Sequence, residues 1–262
     1  FGPAGAASLS PSDIQALAFP AETKTHLTRR DGIVVISDEP SLDAAQLADH
    51  LQSVAQRVQA TFPTLSLPPR PIVMIVFARE EDYRDFPRKL GRMQNADAAR
   101  PTSGGYTIHG VATSYFQPEF GSLRPVFTHE YVHALLAAAA RLQNRGDWFQ
   151  EGAATYFQVQ FHPQDNLSDI VARGVADRRL HLPLKSLCDG RRIPMNRYWQ
   201  AMTVVGALAE DDDYRERTPA LLEAFAAAGS SDLSPHLESV LHTDWESLER
   251  RWKEHCQTDY AR

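Results

Sequence analysis

Apolar residues recur through the first half of the chain in patterns that predict alternating strands and helices. Two strand-like runs, 24–29 and 33–37, flank Asp31 and Gly32, and Asp-Gly between such runs predicts a β-hairpin. A set of apolar residues then recurs at helical spacing, namely Leu47, Leu51, Val54 and Val58. The unbroken apolar run Ile72–Phe77 predicts a strand buried on both faces.

The pattern changes after residue 105. Short runs at 106–108 and 111–116 predict paired strands, and 126–142 has a strongly helix-forming composition. A break at 145–147 separates it from a second helix that opens at about Trp148, and the remainder is mainly helical.

These elements predict an α+β fold with three parts. Residues 1–22, rich in Ala, Ser and Pro, are expected to form an extended N-terminal arm. Residues 23–145 are expected to form a mixed sheet with helices, leading into the helix that contains the histidines described next. Residues 146–262 are expected to form a mainly helical C-terminal lobe.

The segment from His129 to His133 reads His-Glu-x-x-His. On a helix the two imidazoles, four positions apart, project from one face and can bind one metal ion. Glu130 lies about 100° further round the helix, near that ion, as suits a general base. Catalytic zinc takes three protein ligands and one water, and Glu151, at the start of the second helix, is the candidate third ligand. We therefore expect one Zn²⁺ per chain.

The same segment, followed by Trp-Phe-Gln-Glu-Gly-Ala-Ala from Trp148, resembles the gluzincin metallopeptidases, a group also called peptidase MA-like. The resemblance covers about residues 104–160, and the first hundred residues are similar to uncharacterised bacterial peptidase MA-like proteins. It implies that His129, His133 and Glu151 are zinc ligands and that Glu130 is the base. Thermolysin-like members have an Asp four positions after the ligand Glu, where this chain has Thr155. The carboxylate that orients the histidine must then come from elsewhere or be replaced by a backbone carbonyl.

A weaker resemblance covers about 196–228, which is similar to the Tyr-x-x-Gly helix of zinc aminopeptidases, with Ala201 in place of the Gly. It implies that Tyr198 donates a hydrogen bond to the oxyanion. The alternatives are that Tyr198 is a core tyrosine, or that the donor is one of three histidines, His109, His162 or His181.

The expected activity is hydrolysis of peptide bonds in a peptide or protein substrate by a zinc-bound water that Glu130 activates. The alternatives are an inactive peptidase-like binding protein and a hydrolase of a cell-wall or glycan-linked amide. By the resemblance, strand 111–116 lies at the sheet edge and pairs with extended substrate, the alternative being an interior strand. Zinc aminopeptidases have an acidic group soon after a Gly-rich motif, and none follows Gly104-Gly105-Tyr106, which favours an endopeptidase.

Net charge and the length of the apolar runs exclude some classes of binding partner. The formal net charge of −6 argues against nucleic acid or an anionic membrane as the main partner, and no apolar run approaches the roughly 18 residues that span a bilayer. The chain starts at Phe1 without Met, which favours an exported protein, periplasmic or secreted, over a trimmed boundary. Cys188 and Cys256 could pair in an oxidising compartment or remain free thiols.

Overall fold

The computed structural model describes residues 9–93 and 100–260. The chain divides into two compact units. The first comprises the chain up to Gln56 and Leu67–Ala138, and the second comprises Arg57–Ser66 and the chain from Ala139 onward. A five-stranded mixed sheet lies in the first unit and the second is mainly helical, so the expected α+β class is confirmed. No helix in the described part of the chain combines the length and apolar character needed to cross a membrane.

The first unit contains the sheet and the helices around it. Its strands are β1 (His26–Arg30), β2 (Ile33–Ser37), β3 (Ile72–Phe77), β4 (Gly105–Ile108) and β5 (Val111–Tyr115). Its helices are α1 (Pro11–Ala18), α2 (Ala44–Thr61, whose last turn belongs to the second unit), α3 (Glu80–Met93) and α4 (Pro125–Ala139). The expected hairpin is formed by β1 and β2, with Gly32 at a φ of 72° in the turn.

The strand order is β1-β2-β3-β5-β4, with β2, β3 and β5 parallel and the two outer strands antiparallel to their neighbours. The expectation that 111–116 lies at the edge is therefore wrong, because β5 pairs with β3 on one side and β4 on the other. The cause is the two-residue turn between Ile108 and Val111. His109 and Gly110 both have positive φ, 51° and 76°, as a type I′ turn requires, and this turn folds β4 back along the outer side of β5. The edge strand on this side of the sheet is β4.

The expectation of an extended arm over 1–22 is also wrong for its described part, because Pro11–Ala18 is the helix α1. Ser10 begins it with a capping box, in which its side chain accepts from the Asp13 backbone N–H and the Asp13 carboxylate accepts from the Ser10 backbone N–H. Ile14 is buried in the core beside β2 and β3. Local capping and one apolar face thus outweigh the linker-like composition, while residues 1–8 lie outside the described residues.

The second unit contains seven α-helices within its described residues. They are α5 (Trp148–Phe161), α6 (Leu167–Ala176), α7 (Leu184–Leu187), α8 (Tyr198–Glu210), α9 (Asp212–Arg215), α10 (Thr218–Ala228) and α11 (Trp245–Asp259). Helix α8 packs against α5, α6 and α11, which is why it is apolar almost all round. Cys188 and Cys256 are buried free thiols.

Candidate metal centre

Helix α4 brings the two histidines of the His-Glu-x-x-His segment together. The Nε2 atoms of His129 and His133 lie 3.1 Å apart, and the ring planes are inclined at 83°. Most of α4 between Phe127 and Leu136 is buried, so packing holds the helix in place while His129 stays partly exposed. Both imidazoles therefore offer Nε2 to one point.

Helix α5 supplies the carboxylate of Glu151 from its first turn. His129, His133 and Glu151 each contribute one potential ligand atom, and these three atoms lie within 4.8 Å of one another. The position of this turn is set by Asp147, the N-cap, whose carboxylate accepts from the backbone N–H groups of Phe149 and Gln150. The Ser231 hydroxyl donates to the same carboxylate at 2.6 Å. Burial raises the pKa of Asp147, and these hydrogen bonds oppose the rise.

The three residues fit a zinc ion. Two Zn–N bonds of about 2.05 Å at the tetrahedral angle place their nitrogens about 3.3 Å apart, close to the observed 3.1 Å between His129 and His133. Glu151 is buried, and buried carboxylates in proteins are paired or coordinate metals. Two imidazoles and one carboxylate, with a fourth position left for water, form a donor set that catalytic zinc takes.

Glu130 is buried on α4 and contacts strand β4. The Thr107 hydroxyl lies 2.9 Å from Oε2 of Glu130 and 2.8 Å from its backbone oxygen, with the hydroxyl as donor. Burial raises the pKa of Tyr83, and the negative charge of Glu130 adds to the rise. Glu130 is thus a buried carboxylate with a defined hydroxyl donor, next in sequence to a candidate ligand.

Tyr198 is the first residue of α8 and is half-buried. Helices α8 and α5 pack closely at Gly152, where an added Cβ would lie 2.6 Å from the Ala201 backbone oxygen and 3.0 Å from Cγ2 of Val205. Tyr198, Ala201 and Val205 recur at helical spacing, so Tyr198 is on the face of α8 that packs against α5. Its role as oxyanion donor stays a prediction.

The three alternative histidines lie in different surroundings. Nε2 of His181 donates to the backbone oxygen of Gly174 at 3.1 Å, and its ring packs against Trp199 and Trp252, as expected for a packing residue. His162 is the C-cap of α5, about 16 Å along the helix from Glu151. His109 occupies the β4–β5 turn, and burial lowers its pKa.

Thr155 lies one helical turn beyond Glu151, and its side-chain oxygen is buried without a hydrogen-bond partner among the described residues. A buried hydroxyl of this kind costs about 1–3 kcal/mol. Thr155 therefore makes no side-chain hydrogen bond within the described residues that could orient a neighbouring histidine.

A second group of potential ligands, which the sequence did not indicate, consists of Glu210, His255 and Asp259. Each of the three residues has a side-chain atom bonded to a protein group, while Nε2 of His255 is buried without a hydrogen-bond partner among the described residues. Nδ1 of His255 lies 2.8 Å from the Asp259 carboxylate, and the Tyr156 hydroxyl donates to Glu210 at 2.6 Å. In the sequence, the one feature that indicates this group is the four-residue spacing of His255 and Asp259. An ordinary ion pair on a helix has the same spacing.

Sequence comparisons add no relative to this picture. No protein-family model matches the chain, and no curated protein gives a significant match.

Proposed function

We propose that this protein is a zinc-dependent metallopeptidase. The observation that supports the proposal most strongly is the convergence of Glu151 on α5 with His129 and His133 on α4, with ligand atoms within 4.8 Å of one another. Helix α4 also contains the buried Glu130. Three ligands and a separate carboxylate are the minimum set for hydrolysis by a metal-activated water.

The protein residues would divide the reaction between them. A zinc ion held by the three ligands would lower the pKa of its water to about 7 and polarise the scissile carbonyl. Glu130 would accept the proton of the attacking water and pass it to the leaving amine. Its buried surroundings suit this role, since few bulk water molecules compete for the proton.

Tyr198 is the proposed second donor to the oxyanion. Its position on the α5-facing side of α8, one turn before Ala201, supports this role. A phenol hydroxyl there would stabilise negative charge that develops only in the transition state.

The proposed substrate is a peptide or protein chain bound in extended form. Strand β4 supports it, because among the described strands β4 pairs with β5 alone, and an extended substrate would pair along its other side. Such pairing uses backbone groups and gives affinity with little selectivity for sequence. The absence of an acidic residue soon after Gly104 and Gly105 favours an endopeptidase.

The test is to measure bound zinc and then profile the purified protein against a mixed peptide library, with and without a chelator. Each peptide is supplied with a free and with an acetylated N-terminus, which separates aminopeptidase from endopeptidase action. Chelator-sensitive cleavage that returns when Zn²⁺ is restored would support the proposal. Stoichiometric zinc without cleavage of any peptide would refute it in favour of a binding protein or a hydrolase of another amide. Cell-wall fragments assayed in parallel would decide between those two.

A further inference from the structure

Strand β4 presents two of its residues to Glu130. Gly105 and Thr107 are two positions apart, so they lie on the same face of the strand. Both lie close to Glu130. The Thr107 hydroxyl contacts the Glu130 carboxylate, and the Glu130 side chain occupies the space that a side chain on Gly105 would need. The strand therefore meets the proposed general base at two successive positions of one face.

Thr107 ties the strand to the helix at Glu130. Its hydroxyl is 2.8 Å from the Glu130 backbone oxygen and 2.9 Å from Oε2, so its single proton is shared between the main chain and the side chain of one residue. A hydroxyl bonded to a carboxylate is a charge-assisted donor, stronger than a neutral one. Threonine is also stiff at χ1, so the strand backbone fixes where that hydroxyl lies.

Gly105 allows strand β4 to lie close to the Glu130 side chain on α4. A Cβ at this position would lie 2.6 Å from Cγ and 2.8 Å from Oε1 of Glu130, and 2.8 Å from Cγ2 of Val126. No side chain fits there without moving Glu130. The backbone of the strand thus confines the carboxylate on the Oε1 side while Thr107 bonds the other oxygen.

We propose that this face of β4 positions Glu130, with Thr107 as a positioning residue that acts through the Glu130 carboxylate. The inference rests on the proposed function for its catalytic consequence. Its structural content, a single orientation of the Glu130 carboxylate that depends on the Thr107 hydroxyl, does not depend on that function.

The consequence for turnover follows from geometry. A general base must lie within hydrogen-bond reach of the proton that it accepts, and a misplacement of about 1 Å costs up to about 10²-fold in rate. Loss of the Thr107 hydroxyl should therefore lower kcat by about 10–100-fold. KM should change little, because Glu130 holds the attacking water and not the substrate chain, and zinc content should not change.

The experiment compares Thr107→Val, which removes the hydroxyl at nearly constant shape, with Thr107→Ser, which keeps it. Thr28→Val is the matched control, since Thr28 lies on β1, the opposite edge strand of the same sheet. Zinc content, melting temperature, kcat and KM are measured for each, and crystal structures of the parent and both Thr107 variants give the conformation of Glu130.

We expect Thr107→Val to lower kcat and to show Glu130 in more than one conformation, Thr107→Ser to restore both properties, and Thr28→Val to match the parent. A single parental conformation of Glu130 in Thr107→Val, or equal loss of kcat in the Val and Ser variants at full zinc content, would overturn the inference. If the parent binds zinc but hydrolyses nothing, the proposed function fails, and the crystal structures still decide whether Thr107 positions Glu130.

Discussion

Replacing Gly152 by Ala should disturb both the helix packing and the metal centre. Gly152 follows the candidate ligand Glu151, and a Cβ there would lie 2.6 Å from the backbone oxygen of Ala201 and 2.8 Å from its carbonyl carbon. Carbon and oxygen approach to about 3.3 Å at their closest in ordinary contacts, so α5 and α8 must separate by about 0.7 Å. The obstacle is backbone, which cannot rotate away.

Two opposing effects determine how much Gly152→Ala changes the free energy of unfolding. Overpacking of this kind costs about 1–3 kcal/mol, while exchange of a helix-interior Gly for Ala returns about 1 kcal/mol. The difference between these terms is a net loss of about 0–2 kcal/mol in the free energy of unfolding, and because the whole helix must shift we expect the upper half of that range, about 1–2 kcal/mol. That corresponds to a fall of about 2–8 °C in melting temperature for a protein of this size. Displacement of Glu151 should also weaken zinc binding about tenfold or more.

The matched control is Gly206→Ala on α8. It makes the same exchange in a helix interior, but the added Cβ would meet the side-chain ends of Tyr260 and His255, at 2.8 and 2.9 Å. These side chains can adjust, so we expect stability and zinc affinity close to those of the parent. Thermal unfolding of the metal-free proteins and competition with a chelating dye provide the two measurements. A Gly152→Ala protein with parental melting temperature and zinc affinity would refute the reasoning.

Three further substitutions test the site. His133→Ala should lose the tightly bound zinc because two ligands do not retain it, and elemental analysis that still finds one zinc at this site would exclude the ligand set. Glu130→Gln should keep one zinc per chain and lose about 10²–10⁴ in turnover, and near-parental hydrolysis would show that Glu130 is not the base. Tyr198→Phe should lower turnover by about 10²–10³ with unchanged zinc content and melting temperature. A core tyrosine would give the reverse, with lower stability and parental turnover.

Local features of the fold were predictable where a short segment determines its own geometry. Asp31 and Gly32 predict the first hairpin because glycine readily adopts the positive φ that Gly32 has in this turn. The run Ile72–Phe77 predicts the buried strand β3, and the spacing of His129 and His133 places two imidazoles on one face of α4, since helical periodicity is a local property. Helix α1 was predictable in principle from the Ser-Pro-x-Asp capping pattern. The high Ala, Ser and Pro content of residues 1–22 led to the expectation of an extended arm instead.

Tertiary structure alone decided which strand forms the sheet edge and what surrounds Glu130. Strands β4 and β5 look alike as short apolar runs, and their order follows from pairing with β3, a strand more than thirty residues earlier in the chain. The approach of Thr107 and Gly105 to Glu130 is likewise invisible in sequence, because residues more than twenty positions apart meet only after strand and helix have packed. The sequence by itself therefore determined which residues could bind a metal ion and transfer a proton. Only the packing of distant segments decided how closely they approach and what holds them, because those distances depend on contacts that no local pattern encodes.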